Sequence, residues 1–441
     1  MGSGGSTLKG ESAYVLSVEK GWKEGTETSA APQGRKRSQS QSKAPVPESK
    51  IAVESPVTNR KVLSTTSPGN VPVSSISKVS GGAGQTRSIA AASRTVQPSA
   101  GVARDLVRSE KFSWLINGGD FSALNLGGIE NGRIIGKGLM GTVRLARVTG
   151  KNPAYFALKS IRKDYIHKHR DQRHVAHERD LLQQLSNPFC IKLFRTYQDA
   201  NNIYFAMKLA VGGELFRRLS KKACFLPQVA KFYVCEIFSA IQHVQSLGYV
   251  YRDLKPENVM LDEDGHCLLV DFGFSTIPDE NGQMKTMCGT PAYLSPEQLD
   301  GKFTNGYKKI VDWWSLGILI FELLTGQTPF CNNPRETHYE IYLRILKNQI
   351  SFPSGFDADS KNLVQRLCHP EVPKRLTDPD EIARHQYFTV PWNAVNARKL
   401  IPPFVPRIKE EKDKDHYFNQ YQETSEPADS ADSCKMDLDG F

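Results

Sequence analysis

The sequence predicts an α+β chain, a small β-rich lobe followed by a larger α-helical one. Between about residues 130 and 210, short runs rich in β-branched and aromatic residues dominate. From about 213 to 390 the apolar residues recur at helical spacing instead. The polar first 110 residues mark where the folded part has not yet begun.

Residues 1–110 are dominated by Ser, Thr, Gly, Pro, Ala and Gln, and Tyr14 and Trp22 are their only aromatics. So little apolar surface cannot offset chain entropy, and a disordered leader is predicted. The leader holds 15 Lys/Arg against 8 Asp/Glu, so +7 of the formal +10 lies there. Such a tail suits an acidic partner, either anionic lipid or protein, and is equally read as merely solvated. Its opening, Met1-Gly2-Ser3-Gly4-Gly5-Ser6, fits an N-myristoylation pattern and also reads as a flexible linker. The first reading implies weak membrane association through the N-terminus. Eight cysteines run from Cys190 to Cys434 without a Cys-x-x-Cys pair, and no secretory segment is legible. Reduced thiols and a cytoplasmic location are expected, with nuclear or peripherally membrane-associated placement as alternatives. No run approaches the roughly 20 apolar residues that span a bilayer.

Order is expected from Lys111–Leu126, where Phe112, Trp114, Leu115 and Phe121 supply the first apolar anchors. Strands are predicted at Gly141–Val148, Tyr155–Ile161, Ile191–Tyr197 and Ile203–Leu209, interrupted by a charged helix over Asp171–Leu185. Helices follow, as in Pro227–Leu247 and Val311–Thr325. The first lobe is expected over 125–208 and the second over 211–390, with a Pro-bearing, then acidic, surface extension over 391–441.

Gly136-Lys137-Gly138-Leu139-Met140-Gly141-Thr142-Val143 spells a G-x-G-x-x-G-x-V loop. Glycines there let the backbone approach phosphate oxygens that a Cβ would obstruct. A dinucleotide-binding loop of similar spelling runs straight into a helix. Here Thr142-Val143-Arg144-Leu145-Ala146-Arg147-Val148 alternates like a strand, which fits a hairpin lid over a nucleotide. The next strand, Tyr155-Phe156-Ala157-Leu158-Lys159-Ser160, ends on a lysine among apolar residues. A lone strand-end lysine is usually solvated; one that holds phosphates needs a carboxylate to fix it, and Glu178 on the helical stretch can supply one.

Tyr251-Arg252-Asp253-Leu254-Lys255-Pro256-Glu257-Asn258 matches H-R-D-L-x-x-x-N with Tyr in place of His. In such a segment Asp253 would accept or orient the proton of an attacking hydroxyl, and Asn258 would hold Mg²⁺. Eighteen residues after Asp253 comes Asp271-Phe272-Gly273, whose Asp271 would chelate the metal bridging the phosphates. Each tripeptide alone occurs by chance. The ordered set does not.

With these parts in order, the chain resembles the eukaryotic protein kinase superfamily over about residues 125–390. The resemblance implies a bilobal protein kinase fold, ATP and Mg²⁺ as cofactors, and protein substrates. Lys255 is the serine/threonine form of its position and would neutralise charge on the moving phosphoryl group. The glycine loop, Ala157, Lys159 and the hinge residues Met207 and Leu209 form the implied ATP site, with backbone contacts to adenine at the hinge, so Lys208 in place of an acidic residue need not impair binding. Ser295-Pro296-Glu297 is similar to the family's Ala-Pro-Glu signature, Asp312-Trp313-Trp314-Ser315-Leu316-Gly317 to its D-x-W-x-x-G helix, and Arg375 to the late arginine that pairs with Glu297.

Finer features resemble the AGC group, most of all the cyclic-nucleotide-dependent kinases. Tyr251 is typical of them, as is Thr286-Met287-Cys288-Gly289-Thr290-Pro291, which implies that Thr286 is a phosphosite and that Thr290 packs against Asp253. His174 and Arg252 match the residues that grip the phosphothreonine, whereas Thr276 stands where that group places a further lysine. Pro403-Phe404-Val405-Pro406, Phe418-Asn419-Gln420-Tyr421 and Leu438-Asp439-Gly440-Phe441 resemble its tail elements, the last two with departures at Asn419, Gln420 and Leu438.

The resemblance places Glu214 and Glu257 where substrate arginines at −3 and −2 are read, reinforced by Glu322, and makes Met287, Pro291 and Leu294 the walls of a +1 pocket. Arg35-Lys36-Arg37-Ser38 has the basic side needed for self-phosphorylation, although Gln39 is a poor +1 residue. No cyclic-nucleotide-binding domain is legible, so a separate regulatory subunit would have to supply one. A pseudokinase scaffold and a small-molecule kinase of related fold are the rival readings; specific nucleic-acid binding is not expected.

Overall fold

A computed structural model describes residues 126–138, 141–148, 155–169, 171–299, 306–331, 333 and 335–406. The basic leader, the expected ordering segment before Leu126, Leu139 and Met140 at the glycine-loop tip, and the tail motifs at Phe418–Tyr421 and Leu438–Phe441 lie outside the described residues.

The first lobe is a five-stranded antiparallel sheet of β1 (Ile129–Lys137), β2 (Gly141–Val148), β3 (Tyr155–Arg162), β4 (Leu193–Gln198) and β5 (Asn202–Met207), in the order β1-β2-β3-β5-β4. Helices α1 (Lys163–His169) and α2 (Gln172–Gln184) connect β3 to β4. Period-two alternation sends the side chains of β3 into two different apolar clusters. Tyr155 and Ala157 pack with Leu145, Leu209 and Val211, while Phe156 and Leu158 pack with Ala146, Tyr197 and Ala206. Lys159 has the parity of Tyr155 and Ala157, so the strand aims it to the same side as Leu145 and Leu209. β1 was given no bounds of its own beyond the hairpin expected at the glycine loop: Asn131-Gly132 reads as a turn, and the pairing with β2 absorbs it through register shifts between Asn131 and Ile134 and between Ile134 and Gly136.

The second lobe begins with β6 (Gly213–Glu214), α3 (Leu215–Lys222) and the long α4 (Pro227–Ser246). Strands β7 (Val259–Leu261) and β8 (Cys267–Leu269) complete a small β6-β7-β8 sheet beneath the cleft. The remaining helices are α5 (Pro296–Leu299), α6 (Val311–Thr325), α7 (His338–Lys347), α8 (Ala358–Leu367), α9 (Pro379–Ala383) and α10 (Trp392–Asn396). Every residue of α6 from Val311 to Leu323 is buried, the pattern of a helix surrounded by protein rather than lying on its surface. None of the described helices is long and apolar enough to cross a membrane.

One buried ion pair ties the α5 region to the far end of the lobe. Arg375 donates to both carboxylate oxygens of Glu297, at 2.6 and 2.8 Å, its side chain is fully buried, and its guanidinium lies 4.9 Å from the Trp314 ring. This is the pairing expected for Glu297 and Arg375. Removing one partner would strand the other charge without water. Glu297→Ala is therefore expected to lower stability by about 3–5 kcal/mol, measured by urea denaturation, whereas Glu297→Gln combined with Arg375→Met should recover most of the loss.

Candidate active site

The cleft between the lobes gathers the predicted residues from separate elements. β3 carries Lys159, and α2 brings Glu178 to it: the Lys159 Nζ lies 2.6 Å from Glu178 Oε1 and 3.4 Å from Asp271 Oδ1. Glu178 is 1% exposed, whereas the side chain of Asp271 keeps 49% of its surface open to the cleft. Burial alone would lower the Lys159 ammonium, but Glu178 and then Asp271 outweigh it and hold the group above its ordinary range. Burial pushes the Glu178 carboxyl up, with Lys159 opposing it. Desolvation also works against the Asp271 carboxylate, yet Lys159 overcomes it and holds Asp271 below the usual range.

Opposite this triad, Asp253 is held on both of its oxygens. Thr290 Oγ1 donates to Oδ1 at 2.8 Å, and Asn258 Nδ2 donates to Oδ2 at 2.8 Å. Lys255 Nζ stands 2.9 Å from Asp253 Oδ2 and donates to Thr290 Oγ1 at 2.8 Å. Burial would lower the Lys255 ammonium; Asp253 outweighs it and holds the group up. Because the Asn258 amide nitrogen is spent on Asp253, its amide oxygen is the atom left to serve a cation. Phe272, fully buried, meets the Tyr251 ring edge-on at 5.3 Å, and Tyr251 Oη donates to the Val270 carbonyl at 2.5 Å, which fixes the segment that delivers Asp271.

The residues fit a nucleotide and a divalent ion. Val143, Ala157 and Leu209 belong to one apolar patch, with Met207 paired opposite Ala157. In the glycine loop, a Cβ on Gly141 would lie 1.8 Å from the Ser160 carbonyl, so that glycine is required by the β2–β3 pairing itself. Gly136 and Gly138 are different: among the described residues a Cβ would meet nothing closer than 3.5 and 3.9 Å, and neither has a positive φ. No described neighbour and no left-handed backbone asks for glycine there, which suits the close approach of a phosphate-bearing ligand. Lys137 pairs with Thr142 across the hairpin, and Thr142 Oγ1 lies 2.9 Å from Ser160 Oγ.

The expected substrate readers are placed unequally. Glu257 is exposed on the turn Pro256–Asn258. Glu214 sits at the start of α3, where Arg217 Nε donates to its Oε2 at 3.2 Å. Glu322 is 2% exposed and accepts a hydrogen bond from Tyr293, so the structure places it beneath Tyr293 rather than on an open face. Met287 and Pro291 are half-buried, and Leu294 is buried.

Thr286 is joined to Arg252 through a residue that the sequence reading missed. Arg252 donates to Tyr307 Oη at 3.1 Å, and that hydroxyl donates to the Thr286 carbonyl at 2.6 Å. Tyr307 lies 21 residues beyond Thr286 in no recognisable motif, so no local signal could have found it. His174 lies 3.4 Å from Asp171, on its own helix cap. Thr276, where the resemblance led one to expect a lysine, shares a hydrogen bond of 3.3 Å with His177 Nδ1, next to Glu178 on α2.

The ion triad makes a stability prediction with a definite sign. In Lys159→Met, Glu178 stays buried without its cation, so its carboxyl rises further. A raised folded-state pKa means that stability is lost as pH climbs from the unfolded value near 4.3 towards the folded one. The deficit relative to wild type, measured by urea denaturation, should be about 3 kcal/mol at pH 7 and less than half of that near pH 4.5. Glu178→Gln in the same background should remove most of the pH dependence, leaving the part that Asp271 loses with Lys159.

The protein kinase domain model matches residues 129–388 of the chain. The cAMP-dependent protein kinase catalytic subunit of Arthrobotrys oligospora is 39% identical over 300 residues, 67% of this chain and 56% of that protein. This chain thus spans little more than half the length of that relative. The RAC family serine/threonine-protein kinase homolog of Dictyostelium discoideum is 35% identical over 334 residues, 73% of this chain and 71% of that protein. The serine/threonine-protein kinase Sgk1 of Danio rerio is 38% identical over 311 residues, 69% of this chain and 70% of that protein. The chain belongs to the protein kinase family, within its AGC group of serine/threonine kinases.

Proposed function

We propose that this chain transfers the γ-phosphoryl group of ATP to serine or threonine hydroxyls of proteins that carry arginine two and three residues before the acceptor. The observation that supports it most is the set of contacts around Asp253, with Thr290, Asn258 and Lys255 all within 2.9 Å of its carboxylate. Phosphoryl transfer asks for positioning and charge neutralisation more than covalent chemistry. Asp253, oriented on both oxygens, would receive the proton of the substrate hydroxyl. Lys255, already paired with Asp253 and Thr290, would face the charge developing on the transferred group. Lys159, fixed by Glu178, would align the phosphates under the glycine loop. Asn258 and Asp271 would hold Mg²⁺, which supplies neutralisation of phosphate charge when bound.

Glu214 and Glu257 would read arginines at −3 and −2 as charge-assisted pairs, with Met287, Pro291 and Leu294 around the +1 side chain. Thr286 is the proposed activating phosphosite, with Arg252 and His174 to take the phosphate charge. The likeness to cyclic-nucleotide-dependent kinases rests on Tyr251 and the segment Thr286–Pro291; control by a separate regulatory subunit belongs to the same reading.

A peptide kinase assay tests this. With Mg-ATP and an Arg-Arg-x-Ser-φ peptide, φ being apolar, wild type should transfer phosphate. Asp253→Asn should lose about 10²–10⁴-fold in kcat, the scale of a general base, and Thr286→Ala about tenfold through failure to order the segment. Absence of transfer by wild type, with no further loss in Asp253→Asn, would point to a scaffold instead.

A further inference from the structure

We infer that Arg217 is a specificity-determining residue: it occupies the Glu214 carboxylate as an internal stand-in for the substrate's basic side chain and so weakens the preference for arginine at −3. The inference rests on the reading of Glu214 given above.

Glu214 lies in β6, paired with Met260 of β7, three residues after Glu257 and two after Asn258. The strand pairing therefore sets its carboxylate beside the segment that carries Asp253, Glu257 and Asn258, and α3 packs against the Pro256–Asn258 turn. Glu214 is also the residue preceding the first turn of α3, and its side chain makes no capping bond to the helix backbone. Instead, Arg217 Nε donates to Glu214 Oε2 at 3.2 Å, with the two side chains 40% and 24% exposed.

Arginine is a poor choice for this position on helix grounds. The first turn of a helix favours negative charge, and here that turn has no acidic residue of its own. The basic residues at the other end, Lys221 and Lys222, suit the helix C-terminus and need no further account. Arg217 thus gains little from the helix. Its evident electrostatic partner is the Glu214 carboxylate, the same group that an incoming guanidinium would seek. An incoming arginine at −3 must displace Arg217 from Glu214 or share the carboxylate with it.

The test compares kcat/KM for two peptides, Arg-Arg-x-Ser-φ and Ala-Arg-x-Ser-φ, at fixed ionic strength, in full-length wild type, Arg217→Ser and Glu214→Ala. The ratio of the two values is the readout, so a general change in folding or turnover cancels. Arg217→Ser should raise the ratio about two- to fivefold, the scale of a half-exposed ion pair, with the gain in KM rather than kcat. Added salt should shrink the difference between wild type and variant. Arg217→Lys, which keeps the charge, should restore most of the wild-type ratio. If Glu214→Ala lowers the ratio but Arg217→Ser leaves it unchanged, Glu214 reads the −3 residue and the role of Arg217 is overturned. If Glu214→Ala itself leaves the ratio unchanged, the reading of Glu214 fails and the inference fails with it.

Discussion

The geometry of the cleft depends on one buried carboxylate that touches none of its reactive groups. Asp312, at the start of α6, accepts the Tyr251 backbone N–H at 3.0 Å, the Arg252 backbone N–H at 2.8 Å and Gln245 Nε2 at 3.0 Å. Arg252 has φ near +70°, a left-handed conformation that costs a non-glycine residue of order 1–3 kcal/mol. Binding the N–H groups on both sides of the turn is what makes that conformation sustainable. Burial pushes the Asp312 carboxyl up, and these donors, the Arg252 N–H most of all, oppose the rise. The turn reverses the chain so that Asp253 enters the cleft while the Arg252 side chain runs the other way, to the Phe274 carbonyl at 2.7 Å and to Tyr307.

That divergence links the segment around Thr286 to the cleft through backbone as well as side chains. Val250, immediately before Tyr251, exchanges both backbone hydrogen bonds with Thr276, and Met284 does the same with Tyr307. Val250, Met284, Tyr307 and Val311 form a separate small apolar cluster over these two bridges. Thr276 adds a side-chain bond to His177, so the segment also reaches α2, the helix that carries Glu178. Thr276 therefore brings no cation to the segment, but it links the segment mechanically to the helix that sets Lys159.

Much of this was legible because motif residues carry their own partners in sequence order. Lys159 with Glu178, Asp253 with Thr290 and Glu297 with Arg375 were all expected, and each pair lies within 2.8 Å. Strand β2 and helix α6 have the boundaries expected of them, and the other expected elements differ by a residue or two at their ends. What sequence could not show is whatever depends on backbone geometry. β1 hides behind a turn-like Asn131-Gly132 that the register shifts absorb. Asp312 was recognised as part of a motif, yet its three-donor role requires the left-handed Arg252. Glu322 spells an acidic reader, but burial gives it to Tyr293. Arg217 reads as one more surface cation until the helix start brings it to Glu214.

The charges of the cleft follow a single rule. The two lysines at its centre already have anionic partners of this chain: Lys159 between Glu178 and Asp271, Lys255 beside Asp253. An unpaired ammonium at these depths would lose its charge to desolvation, and a bare carboxylate would take up a proton. Mutual pairing instead favours the charged forms of Lys159, Lys255 and Asp271 and fixes them in place before any ligand arrives, which is what electrostatic preorganisation requires. The asymmetry lies in exposure. Glu178 is sealed, so it can only hold Lys159; Asp271, half open to the cleft, can hold Lys159 and still offer oxygen to a cation. Burial thus separates a carboxylate that positions from a carboxylate that binds, although both touch the same lysine.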